Sequence, residues 1–269
     1  MSPHNIGSPD AGLVGALTAL VARASATIDS VGQAGKRTKP DGSPVTAADE
    51  ASEALILEGL TRILPGVPVI SEEQTHRVTL SPDDNFVLVD PLDGTREFIA
   101  GRDEYAVNLA IVSAGVPVLG IIAAPARGLL WRGAGTVAER LRIAGDTVGP
   151  SERIRTRRWP EHGAIALISR SHFNAETEAL LARLPKAARE PGGSSLKFCR
   201  VAEGSADVYP RLGTTSEWDI AAGHALVVAA GGCMAEPSGA ALTYGKADRQ
   251  FKAPSFIAWG DPAAGSAFG

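Results

Sequence analysis

The chain has 269 residues, 44% of them hydrophobic and 21% charged, enough to bury a substantial core as one large domain or two smaller ones. A formal net charge of −4 argues against a protein that coats nucleic acid, because binding a phosphate backbone needs a basic surface. Two cysteines, Cys199 and Cys233, with no CxxC pair, point away from a disulfide-built secreted chain and toward the reducing cytoplasm.

The opening MSPHNIGSPD has no cationic segment followed by an apolar core, so no signal peptide is expected. No uninterrupted apolar run reaches the roughly 18 residues of a membrane span. From Asp10 to Ser30, Leu13, Leu17, Leu20, Val21, Ala24 and Ile28 recur with helical spacing behind an N-cap aspartate. GKRTKPDGSPV then reads as an exposed loop, and a second helix runs from Thr46 to Leu64 until Pro65-Gly66 stops it. Val67 to Ile70 is a strand that ends at Ser71-Glu72-Glu73. The continuous apolar run Phe86 to Val89 is a strand buried on both faces, followed at once by Asp90-Pro91-Leu92-Asp93-Gly94.

Val107 to Val112 and Val118 to Ile122 suggest antiparallel strands, with Leu129 to Trp131 a third. The polar, Arg-rich interval Asp146 to Pro160 marks a boundary between an N-terminal α+β lobe, 1–150, and a C-terminal α/β lobe, 151–269. Ala164 to Ile168 is a strand and Asn174 to Leu184 a helix. Leu196 to Glu203 is a short helix behind Gly192-Gly193-Ser194-Ser195, and Val208-Tyr209 is a strand. Ser216 to Ala230 is a helix ended by Gly231-Gly232, and Pro254 to Trp259 supplies a last strand. Strands and helices mix in both antiparallel and alternating order, so the fold class is layered α+β.

Asp90 and Asp93 can turn two carboxylates to one side with the Leu92 carbonyl between them, a donor set that suits hard divalent cations. Asp-Pro and Asp-Gly are also ordinary turn dipeptides, so this motif alone leaves both readings open. An EF-hand is excluded, since Leu92 and Gly94 stand where oxygen-bearing side chains would be needed. Thr46-x-x-Asp49 and Ser216-x-x-Asp219 each match a capping box, which by itself favours helix capping over a site. Yet four acidic clusters all fall at element termini, where loops gather to form sites.

Val45-Thr46-Ala47-Ala48-Asp49, Ser71-Glu72-Glu73, Asp90-Pro91-Leu92-Asp93-Gly94-Thr95 and Trp218-Asp219-Ile220-Ala221-Ala222-Gly223 together resemble, in family order, the inositol monophosphatase and fructose bisphosphatase superfamily of magnesium-dependent, lithium-sensitive phosphatases. Lys39 through Thr46, Ser169-Arg170-Ser171-His172, Gly193 through Cys199 and Val201 through Arg211 look like its bacterial 3'(2'),5'-bisphosphate nucleotidases, which convert adenosine 3',5'-bisphosphate to AMP and phosphate in sulfur metabolism. The resemblance implies a layered αβαβα sandwich and two or three Mg2+ ions. It makes Glu73, Asp90 and the Leu92 carbonyl ligands of one ion and has Asp90, Asp93 and Asp219 hold a second. Asp49 and Glu72 stand by a third ion or its waters. Thr95, supported by Asp49, orients the attacking water, so Asp49, Glu72 and Thr95 are the expected catalytic set.

The expected substrate contacts are Glu73, Leu92, Asp93, Gly94, Thr95 and Asp219 around the reacting phosphate, with His172, Ser194, Lys197 and Arg211 toward the nucleoside or second phosphate. Glu217 stands where inositol phosphatases often have another residue. The implied partner is a small phosphorylated nucleotide, with no nucleic-acid polymer and no transmembrane segment. A homodimer, and a place at the cytoplasmic face of the inner membrane, are left open. Competing readings are an inositol-1-monophosphatase or other sugar-phosphate phosphatase, a haloacid-dehalogenase-type phosphatase, and a non-catalytic sensor on the same fold. The three-residue spacing of Asp90 and Asp93 counts against the dehalogenase type, whose two aspartates are two apart. Thr95 and Asp49 count against a sensor. Lys197 and Arg211 could otherwise be surface charges, and His224 and Trp218 are expected to be packing residues.

Overall fold

The protein is described by a computed structural model for residues 6–40, 42–74, 80–81, 83–170, 174–184 and 187–268. Its layering is set by the alternation along strand β4 (Asn85–Asp93). Phe86 and Leu88 enter one buried cluster and Val87 and Val89 another, so the strand is buried on both faces, as its apolar run predicts. β3 (Val69–Ser71) pairs parallel to β4. β5 (Ala106–Ser113), β6 (Val116–Ala124), β7 (Leu129–Ala134), β8 (Val137–Ala144) and β9 (Thr147–Arg153) follow antiparallel in sequence order, giving a seven-stranded sheet.

Helices α1 (Ala11–Val31) and α2 (Ala47–Ile63) pack on the Val87 face through Leu17, Val21, Ile28, Ile56 and Leu60. α1 begins at Asp10, whose carboxylate accepts the Leu13 N–H at 2.7 Å. By length and composition α1 alone among the described helices is long and apolar enough to cross a bilayer, with mean hydropathy 1.5, yet its apolar side is buried in this layer. On the opposite face lie α5 (Leu196–Ala202) and α6 (Glu217–Ala229), which are covered in turn by a five-stranded sheet. That sheet runs β11 (Ala188–Gly192), β10 (Ile165–Ser169), β12 (Val208–Arg211), β16 (Phe256–Trp259), β14 (Cys233–Ala235). Its outer face packs Ala166, Val208 and Ile257 against α4 (Ala175–Arg183) and α7 (Pro262–Phe268). The five layers are the αβαβα sandwich that the resemblance implies.

α6 lies unusually close to the first sheet. Gly120 of β6 and Gly133 of β7 are direct cross-strand partners, and a Cβ on Gly120 would fall 2.1 Å from the Ala222 carbonyl oxygen of α6. A Cβ on Gly133 would come within 2.7 Å of the Leu226 Cα. The paired glycines form a groove in which the helix backbone rests.

The segment expected as an exposed loop before α2 closes into a two-residue pair, β1 (Arg37–Thr38) with β2 (Pro44–Val45). A second short pair, β13 (Thr215–Ser216) with β15 (Lys252–Ala253), brackets the start of α6. A lobe boundary at 150 would cut β9, which is hydrogen-bonded to β8 as far as Arg153, so any division of the chain falls after that residue.

Candidate active site

β4 does not end at Val89 but continues through the acidic turn. Asp90 pairs with Asn108 and Asp93 with Ala106, and the ladder shifts register between them. That bulge re-aims the strand so that two acids three apart can serve one site. Asp90 is 1% exposed, and its Oδ1 accepts the Leu92 N–H at 3.0 Å. Gly94 follows with φ 89°, and a Cβ there would meet the Glu104 carbonyl at 2.9 Å, so both backbone angle and space require glycine. Behind it Thr95 opens the short helix α3 (Thr95–Ile99), its hydroxyl 3.0 Å from Asp49 Oδ1 and 3.1 Å from the Leu92 carbonyl.

Asp49 and Asp219 arrive on helix N-termini, and both capping boxes are formed. Asp49 Oδ2 accepts from Thr46 N (2.8 Å) and Thr46 Oγ1 (2.6 Å); Asp219 Oδ2 accepts from Ser216 N (3.0 Å) and Thr215 Oγ1. Capping and site formation therefore coincide. In Asp219 one carboxylate oxygen secures the helix start and the side chain still lines the cavity, whereas in Asp49 the second oxygen accepts the Thr95 hydroxyl.

Glu72, Asp90 and Asp219 each offer an oxygen, all within 4.8 Å of one another, and among the described residues they are the set that could hold an ion. Three hard oxygen donors at this spacing fit a divalent cation. The two adjacent glutamates are placed differently. Glu72 joins the cluster and lines the cavity, whereas Glu73 accepts from Lys39 Nζ at 2.6 Å and is absent from the cavity wall. Both glutamates follow the end of β3 in a turn, where they share the Lys39 ammonium, and only the first also reaches the cluster. Lys39 Nζ also reaches Glu72 at 2.9 Å, which makes it a site neighbour outside the expected set. Asp93 is held from the C-terminal half: its Oδ2 accepts the Ser195 N–H, and Asn108 Nδ2 is 3.5 Å away. Ser195 Oγ in turn donates to Asn108 Oδ1 at 2.6 Å. Neither Ser195 nor Asn108 was among the expected residues, although a lone asparagine inside the apolar strand Ala106–Ser113 is a signal.

Crowding acids out of water raises their pKa. Burial, then the Asp219 charge, pushes Asp93 up to about 7; burial and Asp219 push Glu72 up to about 7 against the pull of Lys39; Asp90 is driven well above the carboxylate range by burial, Glu72, Asp93 and Asp219. Unfolded carboxylates titrate near ~4, so between about pH 4 and about pH 7 the folded, cation-free protein binds more protons than the unfolded chain. Stability from these groups is therefore largest at the acid end and is lost as pH rises through about 7. In chelator, the melting temperature should fall between about pH 6 and about pH 8.5, and a divalent cation should reverse the trend by neutralising the cluster. Differential scanning calorimetry at both pH values checks this, and a chelated protein that melts higher at the alkaline value would refute it.

A cavity of about 370 Å³ continues from the acidic cluster toward Lys197 and Arg211. Lys197 is 4% exposed, so it is no surface charge. Its Nζ donates to the carbonyls of Ser194 (2.5 Å) and Gly192 (3.3 Å) and lies over the Tyr209 ring, and burial lowers its pKa to about 8. Ser194 lines the cavity in the left-handed region, φ 46°, and Arg211 closes the same end from β12. His172 lies outside the described residues. Glu217 is turned away from the cavity and accepts the Gly245 and Lys246 N–H groups at 2.7 and 2.9 Å, tying the 245–252 segment to the head of α6. His224 packs with its Nδ1 2.9 Å from the Tyr244 hydroxyl, and Trp218 is buried against Phe251, as expected of packing residues.

The pattern of the inositol monophosphatase family matches residues 8–260. The 3'(2'),5'-bisphosphate nucleotidase CysQ of Salmonella typhimurium is 42% identical over 207 residues, covering 77% of this chain and 81% of that protein. CysQ of Buchnera aphidicola is 39% identical over 212 residues, 78% of each chain. The crystal structure of CysQ from Bacteroides thetaiotaomicron superposes with a TM-score of 0.75 at 33% identity, covering 92% of this chain and 96% of that one. A Thermotoga maritima IMPase matches the fold alone, with a TM-score of 0.73 at 21% identity. With bulged β4 and the capped Asp219 meeting in one cavity, Asp49 supporting Thr95 behind it, and with this pattern spanning nearly its whole length, the chain belongs to the inositol monophosphatase family.

Proposed function

We propose that the protein is a divalent-cation-dependent 3'(2'),5'-bisphosphate nucleotidase, taking adenosine 3',5'-bisphosphate to AMP and phosphate. The observation that carries this reading is one cavity lined both by a carboxylate cluster and by the buried Lys197 with Arg211. A monophosphate uses the first group of residues; a bisphosphate uses both. The similarity to CysQ nucleotidases supports the same choice.

When bound, divalent cations, which we take to be two or three Mg2+, supply Lewis-acid polarisation of the phosphate and a lower pKa for the attacking water. Glu72, Asp90, Asp219, Asp93 and the Leu92 carbonyl are the groups that would hold them. The chain's own part is orientation. The Thr95 hydroxyl, fixed by Asp49, directs the attacking water, and the N–H groups of Gly94 and Thr95 at the head of α3 receive phosphate oxygens. Lys197 and Arg211 hold the second phosphate in substrate and transition state alike, so they act on KM more than on kcat. Cys199 and Cys233 are unpaired, which fits a reducing compartment, and we assign the enzyme to the cytoplasm.

The test is phosphate release from adenosine 3',5'-bisphosphate, inositol 1-phosphate and fructose 1,6-bisphosphate, with Mg2+, with chelator and with added Li+. The nucleotide should be preferred, chelation should lower the rate at least about a hundredfold, and Li+ should inhibit. Undiminished hydrolysis in chelator, or preference for inositol 1-phosphate, would sink the assignment.

A further inference from the structure

At the cavity wall, Arg170, just after β10, binds Glu104 through the Nε–Nη2 edge of its guanidinium: Nε to Oε2 at 3.2 Å, Nη2 to Oε1 at 3.0 Å and Nη2 to Oε2 at 3.1 Å. Glu104 is pressed against the Gly192-Gly193 turn, so closely that a Cβ on Gly193 would be 2.9 Å from both Glu104 Cβ and Oε2. Lys197 lies on the same turn, since Gly192 O accepts its Nζ, and the Arg170 N–H binds that same carbonyl at 3.2 Å. Glu104 and Lys197 thus flank one glycine pair, and Glu104 is among the acids whose charge reaches Lys197, more strongly than Glu97. Asp93, the acid with the largest effect, is held by the Ser195 N–H.

A carboxylate beside a buried ammonium captures it unless something holds the carboxylate first. The hydrogen bonds of the ammonium here go to two neutral carbonyls, while the bidentate Arg fork occupies Glu104. We propose that Arg170 is a positioning residue for specificity: by engaging Glu104 it keeps Lys197 available to the second phosphate of a bisphosphate substrate. This rests on the nucleotidase reading for the identity of the anion. It assigns to Arg170 no contact with substrate, and to Glu104 the role of a competitor held in check.

Steady-state kinetics on adenosine 3',5'-bisphosphate and inositol 1-phosphate separate this from a structural role. Arg170→Gln should raise KM for the bisphosphate about tenfold or more, the loss of one charge-assisted bond, with kcat and the KM for inositol 1-phosphate within about twofold of the parent. Glu104→Gln/Arg170→Gln should return the bisphosphate KM to within about threefold of the parent, because no carboxylate remains to compete. Failure of the double variant to recover would overturn the proposal in favour of direct substrate contact by Arg170. Equal losses on both substrates would overturn it in favour of a structural bridge. The crystal structure of Arg170→Gln is the readout independent of substrate. Glu104 within 4 Å of Lys197 Nζ supports the proposal, and Glu104 left away from Lys197 refutes it, even if the parent enzyme proves to have no preference for bisphosphates.

Discussion

Asp219→Asn is expected to lower kcat on adenosine 3',5'-bisphosphate by at least about a thousandfold while raising the melting temperature of the chelated protein. Both effects follow from one removed charge. Asp219 is in the three-carboxylate cluster, and its charge helps to push Asp90, Asp93 and Glu72 toward their protonated forms. An amide of nearly the same volume still presents an oxygen to Ser216 N and Thr215 Oγ1, so the head of α6 stays capped. The lost repulsion stabilises the empty fold, and the lost ligand withdraws charge stabilisation of several kcal/mol from the transition state. The opposed signs make the test sharp. Near-parental turnover at saturating Mg2+ would remove Asp219 from the cation site, and a lower melting temperature in chelator would show that its main work is structural.

Gly120→Val should destabilise the protein by roughly 3 kcal/mol or more, a fall of roughly 10 °C in melting temperature, and should depress activity in whatever folded fraction remains. Backbone geometry at Gly120 is ordinary; space is what forbids a side chain. The nearest atom is the Ala222 carbonyl oxygen at 2.1 Å from an added Cβ, with Ala222 Cα at 2.8 Å. Backbone cannot swing aside as a side-chain tip can, so α6 must rise off the sheet. Since α6 carries Asp219 at its head, a shift on the order of 1 Å misplaces a cluster ligand and costs about a hundredfold in rate. Val116→Thr, on an exposed residue of the same strand, is the control. Calorimetry and phosphate-release assays on both decide the matter, and a Gly120→Val protein that melts within about 2 °C of the parent would show that the helix has slack.

Local signals made the helices legible. Asp10 before α1 and the Thr46 and Ser216 boxes before α2 and α6 each name a helix start by the hydrogen bond that secures it. Double burial made the core of β4 legible, because only a strand covered on both sides reads as Phe-Val-Leu-Val. Strands at the margins gave weaker signs. β8, Val-Ala-Glu-Arg-Leu-Arg-Ile-Ala, buries Ala138, Leu141 and Ile143 and carries Arg142 on its exposed side, while β9 is a polar edge strand interrupted by Gly149-Pro150. Charge and proline there resemble a linker, which is why a boundary looked natural at 150.

The site's acids were legible as motifs, but the choice between Glu72 and Glu73 was not. Both acids sit in the turn after β3 and share Lys39, so which of them reaches Asp90 and Asp219 is decided by the tertiary placement of that turn. Ser195, Arg170 and Glu104 belong to no acid motif of their own. They matter through contacts made across more than sixty positions of sequence, such as Arg170 with Glu104 at a separation of 66.

The two capping boxes also bear on how quickly the enzyme can be loaded. Asp219, a member of the three-acid cluster, has an oxygen already fixed by backbone and hydroxyl donors, and Asp49 is fixed likewise behind Thr95, so both rotamers are set before any ion arrives. An ion entering such a cage orders little chain, and the entropy of arranging its ligands has been settled by helix formation. Occupancy then follows the ion's willingness to shed its own water, which for Mg2+ is slow, rather than any refolding of the protein around it.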